Sequence, residues 1–287
     1  MKTRFITAIL LLAILLLAAL VGSSLNAQAA WPGKRCKGSG KLITREIAVA
    51  PFTALEVSNG ANVTLTTGSG PAVVETDDNM MEYVEVKVEN GTLTIGFEGE
   101  CTSLTNVTLR VTVPTDGRLN RLRASGASKI VAEPVLQSKN LKLRLSGASK
   151  LVAVVKCGTC ALDISGASKA EVGGDMDVCE AEVSGASNLN LVAKADRCLL
   201  DASGASKINA SGSANFASIE VSGASNLNAE DFVTTTCVVS ASGASNARVN
   251  CSSKLTAEAS SASKITYSGN CTNNSIESSG ASTVKRK

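Results

Sequence analysis

From about residue 118 onward, apolar and polar residues alternate with a period of two. The alternation is broken at regular intervals by one phrase, Ser-Gly-Ala-Ser, which begins at Ser125, Ser146, Ser165, Ser184, Ser203, Ser222 and Ser242. A degenerate copy, Ser260-Ser261-Ala262-Ser263, follows, and then Ser279-Gly280-Ala281-Ser282. The steps between copies are 21, 19, 19, 19, 19, 20, 18 and 19 residues. Such a period marks a solenoid, in which each unit packs only on its neighbours.

The flanks of the phrase say which solenoid. Two and four residues before the second position of each copy stand apolar side chains, as in Ile164 with Leu162 and Val183 with Ala181, except for Ser278 before the last copy. Between them stands a polar one. Four residues past that position the apolar run resumes with Ile130, Leu151, Ala170, Leu189 and Ile208. Alternation of period two is a strand with one face buried. A 19-residue unit at about 3.3 Å per residue has a contour of roughly 60 Å, enough for one coil of two or three short strands. The pattern therefore predicts an all-β parallel β-helix of about 19-residue coils with Ser-Gly-Ala-Ser at a corner. It should be right-handed by the crossover preference. Nine coils about 4.8 Å apart would extend for about 40 Å. Glycine permits the bend at the corner, and the serine hydroxyls can satisfy its backbone groups.

Residues 42–117 keep the alternation without the phrase. Ser58-Asn59-Gly60-Ala61 is a near relative of it, and Val63-Thr-Leu-Thr follows. Asn90-Gly91 between two alternating runs signals a hairpin. The strand Val107 to Val113 ends at Pro114. This segment is expected to begin or cap the solenoid formed by 118–287. Residues 30–41, with Pro32, Gly33, Gly38 and Gly40, read as a flexible lead.

The first 29 residues break the pattern. Lys2 and Arg4 precede an apolar run from Phe5 to Val21, and Ala27 and Ala29 form a small-x-small site. This is the pattern of a secretory signal peptide cleaved after Ala29; an uncleaved anchor is the alternative reading. No later stretch is apolar enough to span a bilayer, so the mature chain is expected in the periplasm, on the outer surface or secreted, without a membrane span.

Composition sharpens this. The 287 residues are 44% hydrophobic but only 3% aromatic, so the core must be thin columns of Ala, Val, Leu and Ile. No histidine is present, which removes Ser-His-Asp and Cys-His arrangements and His-based metal sites. Without Lys2 and Arg4, 26 basic residues face 25 acidic ones, which argues against a nucleic-acid binder driven by bulk charge.

The ordered features resemble a known family: the putative auto-transporter adhesin, head GIN domain, of bacterial exported proteins. The matching residues are Phe52-Thr-Ala-Leu-Glu-Val-Ser-Asn-Gly-Ala-Asn-Val, then Glu89-Asn-Gly-Thr-Leu-Thr-Ile, then Val111-Thr-Val-Pro114 with Leu119 and Leu122, and the repeated Ser-Gly-Ala-Ser units. They cover about residues 45 to 284. The resemblance implies a surface-associated β-helical domain labelled an adhesin, and it brings no catalytic residues. Nothing after residue 130 resembles a membrane-barrel translocator.

Nine cysteines are present. Cys160, Cys179, Cys198 and Cys237 each stand six residues before the second position of the phrase. They should form one inward column, as free thiols or as disulfides between adjacent coils. Cys36 with Cys101, and Cys251 with Cys271, are candidate disulfide pairs. Cys157-Gly-Thr-Cys160 has C-x-x-C spacing but lacks a second pair and a following helix, so zinc or thioredoxin-like chemistry is not expected there.

Outward positions carry charge. Asp163, Glu182, Asp201 and Glu220 form one column before the corner, and Lys150, Lys169 and Lys207 form another after it. The first reading is a solvated face with partial neutralisation across the corner; the second is a strip that binds a cation or glycan. Asn190, Asn209 and Asn228 align one coil apart as a structural ladder. Three functions follow. The first is a non-enzymatic adhesin or binding module for a cell-surface, glycan or envelope-protein partner, with no cofactor. The others are a polysaccharide-acting lyase or hydrolase using Asp163, Glu182 and Asp201, and a purely structural envelope component.

Overall fold

A computed structural model describes residues 34–99 and 101–287. The expected signal peptide, with its expected cleavage after Ala29, falls outside the described residues. Apart from one 3-10 turn at Met81–Tyr83, the described elements are strands. The strands of the repeat region pair in parallel with the same register from coil to coil. Leu143 stands on Leu122, Leu162 on Leu143, Ala181 on Leu162 and Leu200 on Ala181. This is a β-solenoid, as the alternation predicts.

Each coil turns its apolar side chains inward in two runs. In the coil Lys150–Ile164 the first run is Leu151, Ala153, Val155 and Cys157, and the second is Cys160, Leu162 and Ile164, all buried. Gly158 and Thr159 sit between the runs, where two consecutive residues leave the core and the phase of the alternation flips. The core is a set of columns that admits few rings. Phe232 fits because Gly212, its partner one coil below, leaves the space.

The Ser-Gly-Ala-Ser corner is the tightest point. Ala167 N donates to Gly147 O at 2.7 Å, Ala186 N to Gly166 O at 2.8 Å, and Ala205 N to Gly185 O at 2.8 Å. The glycines hold positive φ, +76° at Gly166 and +69° at Gly185. A Cβ on Gly185 would stand 2.5 Å from Gly166 O. The last serine of every copy but the final one is buried, and its hydroxyl closes the turn where it bonds. Ser149 Oγ donates to Ser146 O at 2.8 Å, and Ser263 Oγ is bonded to Ser260 O at 2.8 Å and Ala241 O at 2.9 Å.

The irregular steps are absorbed as breaks in register. The 20-residue step to Ser242 produces a bulge between Asn209 and Ser211 against the coil above. The following 18-residue step shifts the register between Ala229 and Val233 and again between Thr234 and Thr236.

At the N-terminal end the order of stacking departs from the order of the chain. The strand Ala54–Val57 lies between Thr92–Phe97 on one side and Arg121–Ala124 on the other. Asn62–Thr67 likewise lies between Leu109–Thr115 and Lys129–Ala132. Ser58 to Ala61 therefore occupies the corner column one coil below Ser125, with Ser125 N bonded to Val57 O at 2.9 Å. Antiparallel strands complete this end. Leu42–Ile47 pairs with Ala72–Asp77, and Val84–Glu89 pairs with Thr92–Phe97. The latter hairpin turns at Asn90 and Gly91, both at positive φ as a type I′ turn requires.

The flexible lead expected for residues 30–41 is corrected over the part that is described. Lys34–Lys37 is a strand parallel to Cys101–Thr105, and a Cys36–Cys101 disulfide ties the two. The two described glycines there serve different ends, Gly38 a close approach and Gly40 a left-handed backbone at φ +81°. A Cβ on Gly38 would stand 2.2 Å from Asn106 O, and Gly40 N donates to Asp77 Oδ1 at 2.7 Å.

Two stability predictions follow from the corner. Gly185→Ala combines a strained φ with a backbone clash and should cost roughly 3 kcal/mol. Gly60→Ala has the same sign of φ but nothing within 4 Å, and should cost about 1 kcal/mol. Urea unfolding of the two variants checks the difference. The buried Ser168 hydroxyl has no hydrogen-bond partner, unlike that of Ser263. Ser168→Ala should therefore be neutral or stabilising, and Ser263→Ala should cost about 1 kcal/mol, read by thermal and urea unfolding.

Candidate functional site

Because register is kept, outward residues form straight columns. The column before the corner runs Glu56, Arg123, Arg144, Asp163, Glu182, Asp201, Glu220, Ser240, Glu258 and Glu277. Two residues earlier in each coil, a second outward column begins Arg121, Lys142, Ala161, Glu180 and Leu199. The two columns share one face. Its lower part is basic, with Arg121, Arg123, Lys142 and Arg144, and its upper part is acidic. The stack thus carries an abrupt change of sign at Arg144 and Asp163.

The junction is closed by a direct pair, Arg144 Nε to Asp163 Oδ2 at 2.9 Å. Below it, Arg121 Nη2 reaches Glu56 Oε1 at 3.5 Å and Thr92 Oγ1 at 3.0 Å. A shallow depression of 560 Å³ spans the junction. Glu180, Glu182, Asp201 and Glu220 are exposed, and none of them forms an ion pair among the described residues. They border a second depression of 300 Å³ floored by Ala181 and Leu200. Carboxylates stacked about 4.8 Å apart repel in water only weakly, since solvent screens them. An unpaired acidic row is therefore affordable on an open face, and it attracts cationic groups.

The expected neutralisation across the corner is not found for the lysines. Lys150 follows the Ser146–Ser149 corner and Lys169 the Ser165–Ser168 corner, and both turn to Glu171 on their own side of the corner column. The distances to Glu171 Oε1 are 2.9 Å from Lys169 Nζ and 3.8 Å from Lys150 Nζ. The Lys169 hydrogen bond, with the charges of both lysines, holds the Glu171 carboxyl below its ordinary value. Lys207 continues the lysine column, between Asn188 and Asn226. The reading of the sequence missed Glu171, although it stands in the column that continues as Asn190, Asn209 and Asn228. In that ladder Asn209 Nδ2 donates to Asn190 Oδ1 at 2.8 Å.

Cys160, Cys179 and Cys198 stack in direct register, fully buried as free thiols, and Cys237 follows above Ala217. Burial pushes the Cys237 thiol up to about 12. The Cys251–Cys271 pair expected from the sequence is corrected: both are free thiols. The register explains it. Gly269 is the residue packed on Cys251, with a Cβ there only 2.2 Å from Cys251 O. Thr272 pairs with Ser253, Thr272 N donating to Ser253 O, so Cys271 is carried past Cys251. The Cys251 thiol instead donates to Lys254 O at 3.0 Å. Among the described residues no three Cys, Asp or Glu side chains converge in a way that could hold a metal ion, and no helix is long and apolar enough to cross a membrane.

The profile of the family described as "Putative auto-transporter adhesin, head GIN domain" matches residues 51–193 and 177–271, which together are most of the chain. The chain belongs to this family. Solved structures share the GIN-like fold. One is described as a putative adhesin from Parabacteroides distasonis, at TM-score 0.64 and 20% identity, covering 88% of this chain and 100% of its own. Another is a putative adhesin from Parabacteroides merdae, at TM-score 0.59 and 20% identity, covering 88% and 99%. A third is described as a putative lipid binding protein from Parabacteroides distasonis, at TM-score 0.60 and 17% identity, covering 88% and 100%. No curated protein matches the sequence.

The Arg144–Asp163 pair joins side chains that are 60% and 43% exposed. Arg144→Ala should therefore change stability by less than about 1 kcal/mol. Urea unfolding of the variant measures it, and a larger loss would mean that the charged face helps to hold the coils together.

Proposed function

We propose that this GIN-family protein is an exported, non-catalytic binding module of the cell envelope, and that the acidic row Glu182, Asp201 and Glu220 is its contact surface for a partner bearing cationic groups. The observation that carries this reading is the regularity of the face. Identical coils joined by short corners hold unpaired carboxylates in one straight exposed row. A row of like groups at fixed spacing suits an extended or repetitive partner, such as an envelope protein or an amino-bearing glycan, because each contact repeats along the axis.

A polysaccharide-acting enzyme is disfavoured on the same ground. Asp163 is engaged by Arg144, and Glu182 and Asp201 stand on an open face where bulk water reaches both carboxylates. General acid catalysis needs one carboxyl set apart by its surroundings from the other.

The test is retention of envelope components on the immobilised protein, together with a glycan array. The wild-type chain should retain a partner that elutes with salt. A triple variant, Glu182→Gln, Asp201→Asn and Glu220→Gln, should bind roughly tenfold more weakly. Blank results in both assays would favour a purely structural component. Turnover of an acidic polysaccharide that disappears in Asp201→Asn would establish the enzyme instead.

A further inference from the structure

We infer that Cys157 and Cys160 form a thiol–disulfide exchange site that opens on a groove of the solenoid and takes small-molecule disulfides as its oxidant. The C-x-x-C spacing was discounted on the sequence because no helix follows it. The structure supplies a different support. Cys157 ends the first inward run of its coil and Cys160 starts the second, so the corner at Gly158 and Thr159 turns both side chains to the same side. Gly158 is packed into that corner, where a Cβ would meet Lys139 O at 2.8 Å.

Of this pair, only Cys157 reaches solvent. Cys157 is 9% exposed, whereas Cys160, Cys179 and Cys198 are fully buried. Cys157 lies in the wall of a 670 Å³ groove that also includes Lys156, Asp175, Asp177, Lys194 and Asp196. The groove has the size of a small-ligand site and offers both signs of charge to the charged ends of an amino-acid-based disulfide.

The Cys157 and Cys160 thiols hydrogen-bond each other. That bond holds the Cys157 thiol below its ordinary value, against burial and the nearby Asp177 carboxylate. The same bond, with burial, raises Cys160. The exposed partner is thus the better thiolate and the buried one the better proton holder, the asymmetry an exchange pair requires. Cys179 and Cys198 also hydrogen-bond each other, but that bond and burial push the Cys179 thiol well up. They belong to successive coils and are held at the ladder spacing of about 4.8 Å, wider than the ~3.8 Å between Cβ atoms of a relaxed disulfide. The separation of Cys157 and Cys160 is set by the corner and escapes this limit.

The chemistry balances without a further reagent. The Cys157 thiolate, its proton lost to water, attacks one sulfur of the disulfide, and the other sulfur leaves as a thiolate that takes up a proton. Cys160 then attacks the Cys157 sulfur, and its proton goes to the second departing thiolate. Two protein thiols are oxidised to one disulfide, and one disulfide is reduced to two thiols.

The test uses the full chain in buffers of graded reduced and oxidised glutathione, followed by acid quenching, alkylation of free thiols and tryptic mass analysis. Cleavage after Lys156 and Lys169 places both cysteines in the single peptide 157–169, while Cys179 and Cys198 fall in 170–194 and 198–207. The native protein should show 157–169 lacking two hydrogens, formed at least about tenfold faster than any modification of Cys179 or Cys198. Cys160→Ser should trap glutathione on Cys157. The inference is overturned if 157–169 stays fully alkylated until the protein unfolds, or if a cross-link between 170–194 and 198–207 forms first. The wild-type measurement decides the matter even if a variant fails to fold. It is also independent of whether the acidic row binds a partner.

Discussion

At each Ser-Gly-Ala-Ser corner the backbone of one coil must come close enough to the next for an amide to donate to a glycine carbonyl across the turn, as Ala186 does to Gly166 at 2.8 Å. That contact leaves no room for a side chain at the glycine and needs a left-handed backbone there. Once it is made, the two strands flanking the corner have no freedom to slip. A one-residue slip would turn every inward Leu, Val and Ala to solvent. The corner therefore fixes register, register fixes the columns, and the columns fix both the core and the surface. Ser261 stands in the glycine place of the degenerate copy and still adopts φ +62°, so the geometry of the column prevails over the preference of the residue.

The surface inherits this regularity. A strand in an ordinary sandwich places each outward side chain beside an unrelated one, and opposite charges can be chosen to meet. In a solenoid with near-identical coils, like tends to fall on like, as in Asp163, Glu182, Asp201 and Glu220. The repulsion is tolerable because the face is wet. The change of sign at Arg144 divides the face along the axis and gives it polarity. Compensation for the lysines is found on their own side of the corner, through Glu171, which is two residues along the same strand face from Lys169 and one coil from Lys150.

The repeat region was legible because its physics is local and repeated: period-two alternation, a glycine corner and a nearly constant step. Ser58 to Ala61 could be recognised as a corner for the same reason. What was not legible depended on non-local pairing. Nothing in the order of residues says that Ala54–Val57 lies between Thr92–Phe97 and Arg121–Ala124, since each of the three reads equally well as a strand. The described part of the lead was misread because glycine signals flexibility and close packing alike, and at Gly38 it is the packing that applies. Cys251 and Cys271 looked equivalent by count. Their coils are offset by 18 residues at Asn250 and Ser268 and by 19 at Lys254 and Asn273, short of the 20 that separate the two cysteines. Glu171 was overlooked because its column is occupied by asparagine in the following coils.

Stacking like on like has opposite consequences inside and outside the wall. Outside, repeated carboxylates are solvated, and their effect adds along the axis. Inside, repeated thiols cannot ionise without leaving a charge in the core, so they remain neutral, fill a narrow column and hydrogen-bond to one another. Reactivity in such a column is set by access, because every interior member meets the same burial. It is concentrated where the column meets a corner and one thiol reaches the surface. Cys157 is that thiol: it stands outside the column, between Ser138 and Met176 and across the corner from Cys160, and Cys160, Cys179 and Cys198 share its chemistry without its exposure. In this fold a residue type chosen for packing becomes a chemical site through its place relative to a corner.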